Sequence, residues 1–363
     1  MRDCCRPLLS FPLLRREVTH GVLKSLLMVV LVLWACAAVR TEAVPVATDA
    51  YAPQPLSRIA FGSCNKVDKP QPLWEAILQS APQLWIWTGD IIYADTEDMA
   101  LMQRKYAQQK MQSGYQRLLA TCPVIGVWDD HDYGRNNAGK AYPAKQRSQQ
   151  LLLDFLDEPP DSPRRQQRGV YSSYTYGPPG QQIKIILLDT RYHRDRPGPD
   201  GDLLGEEQWQ WLEQEFTGSP AQLHLIVSSI QVLAKEHRYE KWHDFPRSRV
   251  KLFSLIGKHQ VRGVMFISGD RHIGEISRMT SPQVGYPLYE ITASGLTHSW
   301  RSFKGEPNAL RVGTVYTDLH YGFLVIDWHA SPVTVELQLR DRHNEVQRRE
   351  TLRLPALSPS PSR

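Results

Sequence analysis

Four apolar runs of strand length, each stopped by a dense polar cluster, constrain this chain more than any other feature. The clusters are "FGSCN" (Phe61–Asn65), "TGDIIYAD" (Thr88–Asp95), "VWDDHDYGRNN" (Val127–Asn137) and "SGDRHIGE" (Ser268–Glu275). Strand patterns fall at Arg58–Ser63, Leu84–Thr88, Val124–Trp128, Ile183–Asp189, Leu223–Ser228 and Val264–Ser268. Helical patterns separate them, at Pro72–Ala81, Met99–Leu119, Lys145–Leu156, Glu206–Phe216 and Pro246–His259. This alternation predicts an α/β fold with a mainly parallel core sheet. Strands then dominate, at Gly274–Met279, Leu288–Thr292, Gly322–Trp328 and Val333–Leu339. They predict added antiparallel strands and a second sheet.

The third cluster packs Asp129, Asp130 and Asp132 around His131, with Asn136 and Asn137 close behind. Carboxylates this dense repel one another unless something positive sits among them. In open α/β sheets, the loops at the carboxyl ends of strands line the ligand crevice. Four such loops would gather Cys64, Asp90, Tyr93, Asp129, Asp130, His131, Asp132, Asn136, Asn137, Asp270 and His272 at one edge. Carboxylate and amide oxygens suit hard cations, whereas imidazole and thiolate suit transition metals. Each piece has a plainer reading by itself. Gly89-Asp90 reads as a turn, His131 and Tyr93 as core residues, and Cys64 as half of a disulfide with Cys122. Asp270 and His272, two apart on one loop, can point at one site. Four independent turns explain the set poorly.

Taken in order, the clusters resemble the alkaline phosphatase D (PhoD-like) family of calcineurin-like metallophosphatases. The likeness runs from about Arg58 to Leu339. It rests on "GSC", "GDIIY", "WDDHD" with a following Asn, "LLDTRY", "LGEEQWQWLE" and "SGDRH". It implies two packed mixed sheets flanked by helices, and an iron(III) centre beside a calcium pair; another divalent pair is the alternative. By position, Cys64, Asp90, Tyr93 and His272 match the iron ligands, with Asp90 bridging. Asn136 and Asp270 match calcium ligands. Cys64 as a thiolate ligand and Cys64 in a disulfide are mutually exclusive. His131 is expected to serve the transition state or the leaving alkoxide, with Asp130 orienting it. Arg135 and Arg191 are candidates for phosphate contact, against a plain reading as surface loop arginines. The family's extra N-terminal β-domain and long C-terminal lid are not expected here.

The resemblance implies hydrolysis of phosphate esters by a metal-activated water. Two alternatives stand beside that reading: a phospholipase D-like phosphodiesterase, and a non-catalytic metal-binding scaffold. The net charge of +5 is small for 363 residues and its arginines are scattered. No specific nucleic-acid partner is expected, and a monomer is. Arg2, Arg6, Arg15, Arg16 and Lys24 precede the apolar run Leu26–Val39 and the small residues of "ACAAVRTEA". That order marks a secretory signal over residues 1–42, hence a secreted or periplasmic protein. An uncleaved membrane anchor is the alternative. A linker at 43–57, a catalytic domain at 58–345 and a disordered Pro/Ser-rich tail at 346–363 complete the expected organisation.

Overall fold

Along the strand Leu223–Val227, Leu223, Leu225 and Val227 join one apolar cluster, while Ile226 joins another. The strands Ile183–Leu187 and Val264–Ser268 divide their side chains in the same way. Such strands are covered on both faces, which is why they read as continuous apolar runs. The computed structural model describes residues 54–354. The expected signal or anchor, with Leu26–Val39, lies outside the described residues.

The strands in chain order are β1 (Arg58–Gly62), β2 (Leu84–Thr88), β3 (Val124–Val127), β4 (Ser172–Tyr176), β5 (Ile183–Leu187), β6 (Leu223–Val227) and β7 (Val264–Ser268). They continue with β8 (Gly274–Thr280), β9 (Pro287–Ala293), β10 (Arg311–Tyr316), β11 (Tyr321–Asp327), β12 (Thr334–Arg340) and β13 (Val346–Arg353). One sheet runs β13-β12-β11-β1-β2-β3 and the other β10-β8-β9-β7-β6-β5-β4. Parallel pairing joins β1, β2 and β3 in the first sheet, and β5, β6, β7 and β9 in the second. The remaining pairs are antiparallel. The sheets are therefore both mixed, as expected, and they share the larger apolar cluster.

Helices cover the outer faces. Trp85 and Trp87 of β2 meet Trp74 of the helix Trp74–Gln79 edge-on, at 5.4 and 5.9 Å. Tyr115 of the helix Ser113–Leu119 closes this group, 5.7 Å from Trp87. Aromatic pairs of this geometry add to what their buried area contributes. On the other sheet, the helices Glu206–Phe216 and Pro246–Lys258 bury Trp209, Leu212, Phe216, Leu252 and Ile256 in the second cluster. The expected single helical stretch Met99–Leu119 is two helices, Met99–Lys110 and Ser113–Leu119, separated where Gln112 turns extended at ψ 124°.

One boundary needs correction. The segment from 346, expected as a disordered tail, begins with β13, which pairs with β12 from Arg340↔Val346 to Thr334↔Arg353. Leu352 and Leu354 are buried, so the domain continues to the end of the described residues rather than stopping at 345. The charged sequence "VQRRETLR" hides this strand because an edge strand presents most of its side chains to water.

Candidate metal centre

The parallel strands β1, β2, β3 and β7 end at one rim, and the four polar clusters occupy it. The loops come together closely enough to need their glycines. A Cβ on Gly89, at φ +92°, would lie 2.5 Å from Asp129 Cβ. One on Gly269 would lie 2.4 Å from Ser63 Oγ and 2.7 Å from the Thr88 carbonyl. Gly89 thus marks the close approach of two loops of one sheet, and Gly269 that of loops from the two sheets. The turn reading is satisfied and something more is built on it.

Backbone strain follows the candidate ligands. Cys64, Asp90, Asp270 and His272 adopt φ of 60°, 50°, 66° and 54°. Non-glycine residues rarely accept this region, and they persist there only where the surroundings hold them. Asn65 supplies part of that hold: its amide N–H donates to the Asp90 carbonyl at 2.9 Å and its Nδ2 to the Ile91 carbonyl at 3.0 Å. Asp132 supplies more, accepting from the Asp129 N–H at 2.6 Å and the Ile91 N–H at 3.0 Å. Asp132 thus serves the loops and not the site.

Four side chains meet around one carboxylate oxygen. Asp90 Oδ2 accepts from Tyr93 Oη at 3.0 Å and from Cys64 Sγ at 3.5 Å, and Tyr93 Oη lies 3.0 Å from His272 Nε2. These are the four residues expected as iron ligands. Cys64 and Cys122 are both buried free thiols, so the disulfide reading does not apply. Donor atoms of Cys64, Asp90 and His272 lie within 4.8 Å of one another, as do those of Asp90, Asp130 and His131. A third such group is Asp129, Asp130 and Asp270. Asp90 belongs to two of the groups, as a bridging carboxylate would. Asn136 is exposed and lines the cavity that opens over Asp270 and His272.

Electrostatics show what the site lacks. Burial, then the charges of Asp130, Asp129, Asp132 and Asp270, pushes the Asp90 carboxyl well above its ordinary range. Burial, then Asp130, raises Asp270 to about 7, and burial lowers His272 to about 4. The Cys64 thiol and Tyr93 phenol are pushed up by burial, then by Asp90. Asp130 differs: burial opposes its charge, but Arg191, His131 and the Asn137 amide hold its carboxyl below the usual range. Asp90 Oδ1, Asp129 Oδ2 and Asp130 Oδ1 are buried and accept no hydrogen bond among the described residues. Orphaned carboxylate oxygens facing one another are costly without a cation and are satisfied by one. The donor set of thiolate, phenolate, imidazole and carboxylate fits a transition metal beside oxygen-bound cations.

Two expected roles move. The carboxylate that orients His131 is Asp95, whose Oδ1 lies 2.7 Å from Nδ1; Asp130 Oδ1 is 4.0 Å from Nε2 and belongs with the ligand groups. The His131 ring also stacks on Tyr93 at 4.1 Å. Burial alone would lower its pKa, but the Asp95 hydrogen bond and the nearby carboxylates raise it overall. Arg191 is fully buried, paired to Asp129 at 2.5 Å and to Glu240 at 2.7 Å, and cannot reach a substrate. Arg135 is exposed and paired to Glu97 at 2.5 Å, and it is not among the residues that line the cavity. Neither arginine is a phosphate contact in this arrangement.

Sequence reasoning assigned no role to Asp95 or Asp129, and it missed His298. His298 lies 4.4 Å from the His272 ring and 5.2 Å from that of Tyr93. The adjacent carboxylates of "DDHD" were the available signal for Asp129. Asp95 closes the second polar cluster, but no local pattern gives it or His298 a role. The other shared motifs brace the fold: Gln208 of "LGEEQ" accepts from the Asp189 N–H and donates to the Asp189 carbonyl of "LLDTRY", both at 2.8 Å.

Fold and site together define an α/β two-sheet protein with a candidate metal centre at the carboxyl ends of its parallel strands. The model of the PhoD-like phosphatases matches residues 59–317, and the chain belongs to that family. It is 23% identical over 258 residues to alkaline phosphatase D of Bacillus subtilis (strain 168), a match covering 59% of this chain and 43% of that protein. The solved structure of PhoD superposes with a TM-score of 0.66 at 18% identity, covering 84% of this chain and 69% of that one. GAP50, the anchor in the inner membrane complex of Plasmodium, does so with a TM-score of 0.56 at 13% identity, over 84% and 90% of the two chains. At these identities the structures show the shared calcineurin-like fold alone.

Proposed function

We propose that this protein is an exported, metal-dependent phosphoesterase that hydrolyses phosphate esters with water. The observation that carries the reading is the gathering of Cys64, Tyr93 and His272 around Asp90, with Asp129, Asp130 and Asp270 alongside. In this reading Cys64, Asp90, Tyr93 and His272 hold iron(III), and Asp90, Asp129, Asp130, Asn136 and Asp270 serve the neighbouring calcium positions. Such cations polarise phosphoryl oxygens, offset the charge of the transition state and lower the pKa of water.

The protein's own groups do the rest. His131 lines the cavity, and Asp95 fixes its ring through Nδ1, which leaves Nε2 facing the carboxylate group. In the reaction the water oxygen bonds to phosphorus while the ester P–O bond breaks. The departing alkoxide takes a proton from His131 Nε2, and the proton that the attacking water gives up returns to His131 through solvent. Asp95 steadies the imidazolium before transfer. The cavity holds about 920 Å³, room for large esters, so a phosphodiesterase stands as the second reading.

Metal-replete protein assayed on a panel of phosphomonoesters, phosphodiesters and phospholipids tests the proposal. Hydrolysis that disappears on chelation and returns with metal is the expected outcome. A metal-replete protein inert on the whole panel would favour the non-catalytic scaffold.

A further inference from the structure

The cavity does not end at the candidate ligands. From His272 it extends outward to Tyr239, Trp300, Arg196 and Arg238. Trp300 and Tyr239 are half-buried and meet edge-on at 5.6 Å. The Trp300 N–H donates to the His272 carbonyl at 2.7 Å, so the aromatic wall is fixed to the ligand-bearing loop. The opposite wall is fixed to the Asp/Asn-rich loop: Arg194 Nη1 donates to the Asn137 carbonyl at 3.1 Å, and the Lys140 N–H donates to the Arg194 carbonyl at 2.8 Å.

The arginines of this cavity fall into two kinds. Arg194 is ion-paired with Glu240, and Arg271 with Glu306. Arg196 and Arg238 are exposed, and neither makes an ion pair with a carboxylate among the described residues. Arg238 lies over the Tyr239 ring at 5.1 Å and donates to its hydroxyl at 3.2 Å. Free guanidinium groups beside an aromatic wall match an anion attached to a flat ring. They oppose a cationic head group, and Arg271 already occupies the Tyr239 face at 4.1 Å. From this geometry we infer that the site prefers phosphate esters carrying a flat heterocycle and a second anionic group, the chemistry of phosphorylated nucleotides. The heterocycle packs on Trp300, and the second phosphate reaches Arg196 and Arg238.

The inference rests on the phosphoesterase reading, and one set of probes separates the two. The probes are methyl p-nitrophenyl phosphate, the p-nitrophenyl ester of thymidine 5′-phosphate, and the same ester with a 3′-phosphate. Metal-replete protein should show kcat/KM rising in that order, with the 3′-phosphate contributing about tenfold, mainly through KM. In the Arg196→Gln/Arg238→Gln variant the ratio between the two thymidine esters should fall to near one. In Trp300→Leu the ratio of thymidine to methyl ester should fall. Equal kcat/KM for all three esters overturns the inference and leaves the phosphoesterase reading standing. If none is hydrolysed, the phosphodiesterase reading fails, and calorimetric titration of the holoprotein with thymidine 3′,5′-bisphosphate and with thymidine decides the binding claim. About tenfold tighter binding of the bisphosphate, lost in the double arginine variant, supports it. Equal binding overturns it.

Discussion

Arg191 donates through Nε to Asp129 Oδ1 at 2.7 Å, and both residues are fully buried. Ser229 Oγ adds a second hydrogen bond to the same oxygen at 2.5 Å. Both bonds fall on Oδ1, and among the described residues Oδ2 has no hydrogen-bond partner, while a carboxylate oxygen of Asp129 groups with those of Asp130 and Asp270. Arg191 therefore aims Asp129 and favours its charge, although burial still pushes the carboxyl well above its ordinary range. Glu240 fixes the other side of the guanidinium at 2.7 Å.

Removing one partner of a buried pair strands the other charge. Arg191→Met is expected to lower stability by about 3–5 kcal/mol and to weaken metal retention. Thermal unfolding and elemental analysis, done side by side, check this. A variant with unchanged stability and metal content would show that Asp129 needs no such support.

The roles of Asp90 and Asn136 separate by position. Asp90 belongs to two ligand groups, whereas Asn136 is exposed at the cavity wall. Asp90→Asn should remove nearly all hydrolysis with the fold retained, and Asn136→Ala should remove less. Activity and circular dichroism of both variants provide the test. Full activity in the Asp90 variant would contradict the mechanism.

Loss of the proton donor should be distinguishable from loss of metal. His131→Ala is expected to lower kcat by roughly 10²–10⁴ with metal content near normal. Asp95→Asn keeps the shape but weakens the ring's support at Nδ1, and should lower kcat by less. A His131 variant that loses its metal would make His131 a ligand and not a proton donor.

Much of this arrangement was legible in the sequence. Strands buried on both faces announce themselves as apolar runs, and each of the four runs before a polar cluster is a parallel strand of the structure. The strands that escaped, β4, β10 and β13, are all edge strands with mostly half-buried or exposed side chains. No apolar run marks such strands, because water covers one side of them. Arg191 escaped for a related reason. An arginine in a loop reads as a surface group, and its burial depends on Asp129 and Glu240, 62 positions before it and 49 after. Asp95 lies 36 residues from His131, and only folding brings them into contact.

Acid should destabilise the fold through a histidine far from the metal loops. His224 of β6 is buried, with Nδ1 2.7 Å from the Arg262 carbonyl and Nε2 2.8 Å from Ser219 Oγ. Burial lowers its pKa from 6.5 to about 4. An unfolded chain takes up this proton near pH 6.5, whereas the folded chain resists until about 4. Stability is therefore full above pH 6.5 and falls as pH drops towards 4, by on the order of 3 kcal/mol in all. Denaturant unfolding across that window should show a shallower loss in His224→Gln. Equal slopes for the two proteins would remove this histidine from the account.

The central claim is that Cys64, Asp90, Tyr93 and His272 hold a metal that makes this chain a phosphoesterase. A phenolate or thiolate bound to iron(III) transfers electron density to the metal under visible light. The most direct measurement is the absorption spectrum of freshly purified, active protein beside its iron content. The account predicts a coloured protein containing iron, whose tyrosinate band disappears in Tyr93→Phe and whose spectrum changes differently in Cys64→Ser. A colourless, iron-free protein that hydrolyses phosphate esters at full rate would contradict it.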